Sequence, residues 1–281
     1  MALGGVFMSD TDGNIGTNST TSTEKVTGLL FDISKQAKFF EEGAGLAVKD
    51  KLQGNVIEIN SMDDLKELGI AAPSDDPKND LLFGVPYYHI NHFFSIQGDN
   101  GRLFIMFANC GADWNAIDQM QHAAHGMINQ LGVWTEQSLW KQTDPEAETY
   151  SIDLVADLQS KASSLADENA PLSILLNANS AVIATSDEPV KKVELAKIPT
   201  CITNARFVTV LLSQGLDKDV SAMQLANPNL TPVGNIGAAL GCVALASVQE
   251  SFAWVNKFNL IGYFPDIEMG LNLLTHANDS C

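Results

Sequence analysis

The chain has 281 residues, with 34 Asp and Glu against 16 Lys and Arg, and a formal net charge of −18 at pH 7. Proteins that bind a nucleic-acid backbone or an anionic membrane carry clustered Lys and Arg residues. This excess of acidic residues therefore predicts neither nucleic acid nor a membrane surface as a partner. A hydrophobic content of 45% allows a large buried core, and so acidic a surface suits solubility or a basic protein partner.

The first 26 residues differ from the rest and are predicted to form an extended arm. Ser, Thr, Asp, Asn and Gly dominate residues 9–24, so this stretch can bury little apolar surface by itself. We expect such an arm to order against another surface, and the alternative is a frayed terminus. No cationic stretch opens the chain, so a signal peptide is not expected. The candidate anchors are sparse apolar residues within the arm: Leu3, Val6, Phe7 and Ile15.

Strands and helices are predicted to alternate from residue 26 onward. Residues 26–33 and 55–59 have the apolar character of buried strands. Ser34 is a candidate cap for a helix running to Leu52. Ser61 is predicted to begin a short helix that ends at Gly69, because serine caps free helical N–H groups and glycine suits the position after a helix.

The next part of the chain has the composition of a loop, a helix, a strand and a second helix. Residues 72–80 are predicted to be a loop, and Pro86 to open a helix ending at Gly98. An apolar strand is expected at 102–108. Asp113 is predicted to cap a helix from 114 to about 130, with a short strand at 131–135, and the helix is expected to turn apolar residues inward: Ile117, Met120, Ala124, Ile128 and Leu131.

A polar loop at 141–149 is predicted to mark a subdomain join. Strands are expected at 172–176 and 206–212, and helices at 219–226 and 231–248, the last apolar on most sides and therefore central. A further amphipathic helix is capped by Ser151 and turns five residues inward: Leu154, Val155, Leu158, Ala162 and Leu165.

The alternation of strands and helices predicts an α/β (α+β) fold with a mixed sheet flanked by helices. The predicted divisions are the arm at 1–26, a first α/β subdomain at 27–140, and the remainder of the α/β core at 150–281.

Two histidine pairs have the i, i+3 spacing that could place metal ligands on one helical face. His122 and His125 share a flank with Asp118, but a solvated polar face is the expected role of this set, because no H-E-x-x-H pattern occurs and ligands from other elements cannot be identified. His89 and His92 stand among Tyr and Phe, where packing is the expected role. We therefore predict no metal site.

Other patterns that could carry chemistry have structural explanations. The glycines of 234–241 do not follow the dinucleotide-binding spacing, and close helix packing through Gly237 and Gly241 is expected. Cys110 lies between a predicted strand and a helix start, a place that can activate a thiol, yet a packed, inert cysteine is expected. No acid–base pair of carboxylates is implied. We predict no catalytic residue and no cofactor.

Several local patterns, in this order, resemble contractile bacteriophage tail sheath proteins. The opening MALGGVFMSDTDGNIG and the strand at 26–30 resemble their polar arm and first strand. VIEINSMDDLKELGI (56–70) resembles their strand, Ser cap and acidic helix, and YYHINHFFSIQGDNGRLFIMFAN (87–109) their aromatic helix, glycine turn and strand. VGNIGAALGCVALA (233–246) fits their late helix. The likeness covers residues 1–135 well and 200–260 loosely.

The resemblance implies a structural protein, with no enzymatic activity, in a virion tail assembled in the cytoplasm of a host bacterium. Sheath subunits form hexameric rings stacked around an inner tail tube protein, and their arms add strands to neighbouring subunits. Sheath proteins continue into a C-terminal domain and arm, whereas this chain stops at Cys281. Two interpretations are open: the C-terminal part is missing from the protein, or the chain is a truncated piece. Two alternatives stay open: an α/β enzyme or binding protein for a nucleotide or small molecule, and a sheath subunit of a bacterial contractile injection particle.

Overall fold

The structure is a computed structural model of the full chain. It describes fourteen segments: 26–35, 40–41, 43–70, 77–98, 101–111, 113–137, 141–144, 149–151, 153–177, 205–211, 214–215, 234–246, 263–264 and 274–276. Residues 1–25 of the predicted arm, including Leu3, Val6, Phe7 and Ile15, lie outside these segments, as does the predicted helix at 219–226, whereas Val26 belongs to the first strand.

A seven-stranded sheet forms the centre of the described chain. In order across the sheet, the strands are β2 (Val56–Ile59), β3 (Leu103–Ala108), β1 (Val26–Asp32), β4 (Ile128–Thr135), β7 (Ser173–Asn177), β8 (Val208–Leu211) and β11 (Leu274–His276). The five inner strands are parallel, whereas β2 and β11 pair antiparallel at the two edges. The predicted α/β fold with a mixed sheet is confirmed.

Two short ladders lie outside this sheet. One is the antiparallel hairpin of β5 (Lys141–Asp144) and β6 (Thr149–Ser151), which occupies most of the stretch predicted to be a loop. The other pairs β9 (Gln214–Gly215) with β10 (Tyr263–Phe264). Strands from both predicted subdomains, 27–140 and 150–281, share the main sheet.

Helices cover both faces of the sheet. On one face, α4 (Asn115–Ala123) and α5 (Asp153–Asp167) enclose a core with alternate residues of the parallel strands, such as Leu30, Leu131 and Ile174. On the other, α1 (Gly43–Leu52), α2 (Met62–Glu67), α3 (Pro77–Gln97) and α6 (Ile236–Leu245) pack on the intervening residues, such as Leu29, Phe31 and Leu175. Burial on both faces explains why these strands read as continuous apolar runs.

Several predicted boundaries are confirmed. The strands β1, β2, β3, β7 and β8 lie where the apolar runs placed them, and the five inward residues of α5 are all buried. Ser61 caps α2 in a reciprocal capping box: its Oγ accepts from Asp64 N at 3.2 Å, and Asp64 Oδ2 accepts from Ser61 N at 3.1 Å. Gly69 follows the helix with φ +88°, a conformation that favours glycine.

The helix predicted at 114–130 is wrong in its second half. Helix α4 ends at Ala123, and His125 and Gly126 take left-handed conformations with φ +53° and +72°. The buried Gln121 side chain then bonds both backbone groups of Ile128, donating to its carbonyl at 2.7 Å and accepting from its N–H at 3.2 Å. The apolar residues from Ile128 onward therefore belong to strand β4. Trp114, and not Asp113, occupies the N-cap position.

Three other helix starts are corrected. Helix α3 opens at Pro77, so Pro86 lies inside it and residues 77–80 are not a loop. A proline suits the first helical turn, where its missing N–H costs no hydrogen bond. By this criterion either Pro77 or Pro86 could begin the helix. Ser34 lies in a turn, where its side chain donates to Asp32, and α1 begins only at Gly43. Helix α6 begins at Ile236, after the cap residue Asn235, and not at Thr231.

No helix in the described segments is long and apolar enough to cross a membrane. Helix α6 is apolar and short, and it is almost fully buried between α3 and the sheet, as the sequence predicted for a central helix. Its buried residues are Ile236, Gly237, Ala238, Ala239, Leu240, Gly241, Cys242 and Val243.

Candidate functional site at the carboxyl edge of the sheet

The carboxyl ends of the parallel strands meet at one edge of the sheet. From β1 the chain reaches β3 on one side and later β4 on the other. Doubly wound folds with this reversal bind ligands in the crevice outside the strand ends at that point. The crevice between the ends of β1 and β4 is therefore the first place to look for a site.

A buried carboxylate fills this position. Asp32 is the last residue of β1 and is 1% exposed. Its Oδ2 accepts from Gln137 Nε2 at 2.6 Å, Thr135 Oγ1 at 2.7 Å and Ser34 Oγ at 2.9 Å. Its Oδ1 accepts from the backbone N–H of Ser34 at 3.0 Å and of Cys110 at 3.2 Å. Five donors thus satisfy the two carboxylate oxygens without a cation.

The network continues to the neighbouring strands. Asn177, the last residue of β7, accepts from Thr135 N at 3.2 Å, and Thr135 Oγ1 accepts from Gln137 N at 3.0 Å. Gln137 Nε2 also lies 3.1 Å from the carbonyl oxygen of Gly111, in the turn after β3. The ends of β1, β4 and β7 and the turn after β3 are thereby joined by one set of hydrogen bonds.

Asp32 is not among the functional residues predicted from the sequence. A signal was present, because three apolar strands each end in one polar residue: Asp32, Thr135 and Asn177. Parallel strands bring such ends to one edge, but which of them touch depends on strand order, and strand order was not predicted.

This arrangement is poorly suited to an anionic ligand. A phosphate at the crevice would meet the Asp32 carboxylate, and the exposed Asp113 at the start of α4 adds a second negative charge at this edge. Phosphate sites instead present clustered N–H groups or cations. The geometry gives Asp32 the role of a hydrogen-bonded hub that holds loops together.

Cys110 has the environment of an inert thiol. It is buried, and burial raises its pKa above the usual range, with Asp32 and Asp113 raising it further. A thiolate is the nucleophilic form of cysteine, so this thiol stays protonated and unreactive at neutral pH. The expectation of a packed cysteine is confirmed.

The two histidine pairs lie in different environments, since His89 and His92 are buried whereas His122 and His125 are exposed. His89 is fully buried, and burial, with a smaller contribution from His92, lowers its pKa to about 3. Its Nδ1 accepts from Gly237 N at 3.4 Å. His122 is exposed on α4, His125 lies beyond the end of that helix, and Asp118 pairs with Lys161. In the described segments, no group of three or more His, Cys, Asp or Glu residues could hold a metal ion.

The glycine-rich stretch packs two helices together. A Cβ atom at Gly237 would lie 1.9 Å from the carbonyl oxygen of His89 in α3, and one at Gly241 would lie 3.1 Å from that of Phe93. Two polar contacts fix the same pair of helices, from Tyr88 Oη to Asn235 Oδ1 at 2.9 Å and from Gln97 Nε2 to the Gly241 carbonyl at 2.7 Å. Close helix packing, as predicted, explains these glycines.

The edges of the sheet are a second candidate site, because an edge strand can pair with another chain. Strand β2 is one edge of the described sheet. Its exposed residue Glu58 accepts two hydrogen bonds from Arg102, the residue that precedes β3, at 2.7 Å and 3.1 Å. Strand β11 is the other edge.

The chain has distant structural neighbours among known proteins. No family model matches it. No curated protein matches it. Among solved structures, it is similar to a chain of the contracted helical sheath of the anti-feeding prophage, with 12% identity and a TM-score of 0.41 over 89% of this chain and 54% of that one. A chain of the six-fold symmetrised baseplate of the same prophage gives 14% identity and a TM-score of 0.40 over 87% and 52%.

These structural neighbours are parts of a phage-like contractile particle. The chain spans about half the length of each of them. At this identity and TM-score the likeness assigns neither a function nor a position in a particle to this chain.

Proposed function

We propose that the chain is a structural subunit of a contractile tail sheath that polymerises as stacked rings around an inner tube. The observation that carries the proposal is the hub at Asp32. An enzyme of this topology would bind its ligand in the crevice at the strand ends. Here five hydrogen-bond donors in that crevice all donate to the carboxylate of Asp32. A rigid carboxyl edge suits a subunit that must keep its shape while its contacts change.

The sequence patterns that resemble sheath proteins supply the second support. The stretch 56–70 folds as strand β2, the Ser61 cap and helix α2, and 87–109 as the end of α3, a glycine turn and β3. The stretch 233–246 holds the buried helix α6. These three stretches therefore fold as the types of element that the resemblance implies, which supports the proposal.

Assembly in the proposed role uses the arm at 1–26. The arm of one subunit adds a strand to an exposed sheet edge of its neighbour, where main-chain hydrogen bonds give affinity and sparse apolar side chains give register. Leu3, Val6, Phe7 and Ile15 are the proposed anchors. Contraction then is a rigid-body change between two packings of intact subunits.

Negative-stain electron microscopy tests the proposal directly. The purified chain is imaged alone and with the protein encoded beside it as a candidate tube. Rings or tubular sheaths are expected. Monodisperse single particles under both conditions, at concentrations up to those used for crystallisation, count against a sheath subunit.

The role of the arm has its own test. Deleting residues 1–24 is expected to leave the circular dichroism spectrum of the core unchanged and to abolish assembly measured by light scattering. A matched variant keeps the arm at full length and replaces only its four anchors by serine. Assembly that survives in both variants, or loss of the fold on deletion, contradicts the arm mechanism.

An α/β protein that binds a nucleotide or small molecule is the second candidate, and the reversal of strand order at β1 favours it. A thermal shift of several degrees with one class of nucleotide, lost in a variant of the carboxyl edge, would support it over the sheath proposal. If assembly is observed instead, the neighbouring genes distinguish the two kinds of contractile particle. Genes for capsid proteins would indicate a phage tail, and genes for an injected cargo would indicate a bacterial injection particle.

A further inference from the structure

Helix α3 contains a proline well inside its length. The helix runs over 21 residues from Pro77 to Gln97, and Pro86 lies near its middle. A proline there has no N–H to donate to the carbonyl of Leu82, four residues earlier, and its ring crowds that carbonyl. One backbone hydrogen bond of the helix is therefore missing between Leu82 and Pro86, whereas Pro77 lies in the first turn, where a proline removes no helical bond.

The two residues before Pro86 weaken the helix at the same place. Gly84 loses more backbone freedom in a helix than any other residue type would. Val85 precedes a proline, which disfavours the helical region of φ and ψ, and it is also β-branched. Gly84, Val85 and Pro86 are all buried. Packing in the core therefore maintains the helix here against the local preference of three consecutive residues.

The part of α3 that follows Pro86 is fixed to α6. Tyr88 Oη donates to Asn235 Oδ1 at 2.9 Å, and Gln97 Nε2 donates to the carbonyl oxygen of Gly241 at 2.7 Å. Between them, the two backbones approach closely, since a Cβ atom at Gly237 would lie 1.9 Å from the His89 carbonyl oxygen. This part cannot open unless the two helices separate.

We propose that α3 has a hinge at Gly84–Pro86, about which residues 77–85 open independently while residues 87–97 stay fixed to α6. The hinge is a backbone device, because it depends on the missing N–H and on the conformational preferences of these three residues. The inference concerns the single subunit and does not rest on the proposed sheath function.

Hydrogen–deuterium exchange of the full chain tests the hinge, because backbone exchange reports local opening separately from global unfolding. In the wild type, the amides of 81–85 are expected to exchange about tenfold faster, or more, than those of 88–96. The amides of β1 and β3 report global unfolding in the same experiment.

Pro86→Ala restores the N–H and removes the ring. Exchange of the amides of 81–85 is expected to slow by about tenfold or more, because the helix becomes continuous through this point, whereas the amides of β1 and β3 gain no protection. Pro77→Ala is the matched control, since the same substitution in the first turn adds no helical hydrogen bond. It is expected to leave exchange of 81–85 within about twofold of the wild type.

Two outcomes overturn the proposal. Equal protection of 81–85 and 88–96 in the wild type means that α3 opens as one unit. Fast exchange of 81–85 that persists in Pro86→Ala means that fraying of the helix end causes it and that the proline does not. If the alanine variant does not fold, Pro86→Val takes its place, because valine restores the same N–H and keeps three side-chain carbons in the core.

Discussion

Replacement of Gly237 by alanine is expected to destabilise the protein strongly, although alanine is the better helix former. The new Cβ atom would lie 1.9 Å from the His89 carbonyl oxygen, whereas a carbon and a carbonyl oxygen in contact are normally about 3.3 Å apart or more. Because the obstacle is backbone of a buried helix, side-chain rotation cannot remove the clash. Helices α3 and α6 must move apart by more than about 1 Å, and a gap of that size forfeits roughly half of the dispersion energy between facing atoms.

The size of the effect follows from the contacts between these helices. Separation lengthens the Tyr88–Asn235 and Gln97–Gly241 hydrogen bonds, at about 1 kcal/mol each. Overpacking of a core adds about 1–3 kcal/mol, and the helix propensity of alanine returns about 1 kcal/mol. The net loss in the free energy of unfolding is expected to be about 3 kcal/mol.

Urea unfolding followed by circular dichroism measures this loss, with Gly241→Ala as the matched control in the same helix. At Gly241 the nearest atoms to a new Cβ are at 3.0–3.1 Å, so the clash there is relieved by shifts of a few tenths of an ångström and the net cost is expected to be about 1 kcal/mol or less. A Gly237→Ala protein as stable as the wild type, or a larger loss in Gly241→Ala, would refute the close-packing argument.

Three further predictions concern the hub, a buried histidine and a helix cap. Asp32→Asn is expected to lower the free energy of unfolding by about 2–3 kcal/mol, measured by urea unfolding, because an amide nitrogen then faces groups that donate to the carboxylate. Lowering the pH from 6.5 towards 3 is expected to lower the free energy of unfolding by up to about 5 kcal/mol through the buried His89. Its pKa is lowered to about 3 in the fold, so the unfolded chain takes up this proton at a higher pH than the folded protein does. Ser61→Ala is expected to cost about 1 kcal/mol in a thermal unfolding assay, through loss of the α2 cap.

Each of these has a control. Asp167→Asn, on the exposed end of α5, should leave stability near that of the wild type, and a similar loss in both Asp variants would mean that net charge matters more than the hub. His89→Asn removes the titrating group while keeping an acceptor near Gly237 N. In this variant the free energy of unfolding should fall less steeply as the pH is lowered. If the slope persists, other groups cause it. Asp64→Asn keeps the Ser61 cap bond but weakens the reciprocal one, and should cost less than Ser61→Ala.

Several features could be read from the sequence because they depend on neighbours in the chain. The strands β1 and β3 were recognisable, since burial on both faces requires a continuous apolar run bounded by polar residues. The capping box at Ser61 involves residues three apart, and the inward face of α5 follows from helical period alone. The spacing of Gly237 and Gly241 was sufficient to predict close helix packing.

The tertiary structure decided what depends on residues far apart in the chain. The apolar periodicity predicted one helix over 114–130. In the structure the Gln121 side chain bonds both backbone groups of Ile128 and the carbonyl of Ala170, and the helix ends at Ala123. Likewise, Asp32 becomes a hub only because strand order places β4 beside β1, which brings Thr135 and Gln137 to it from 103 and 105 residues away. Hydrogen bonds of this kind have no sequence period, because their partners are set by sheet topology, and topology is fixed by packing of the whole core.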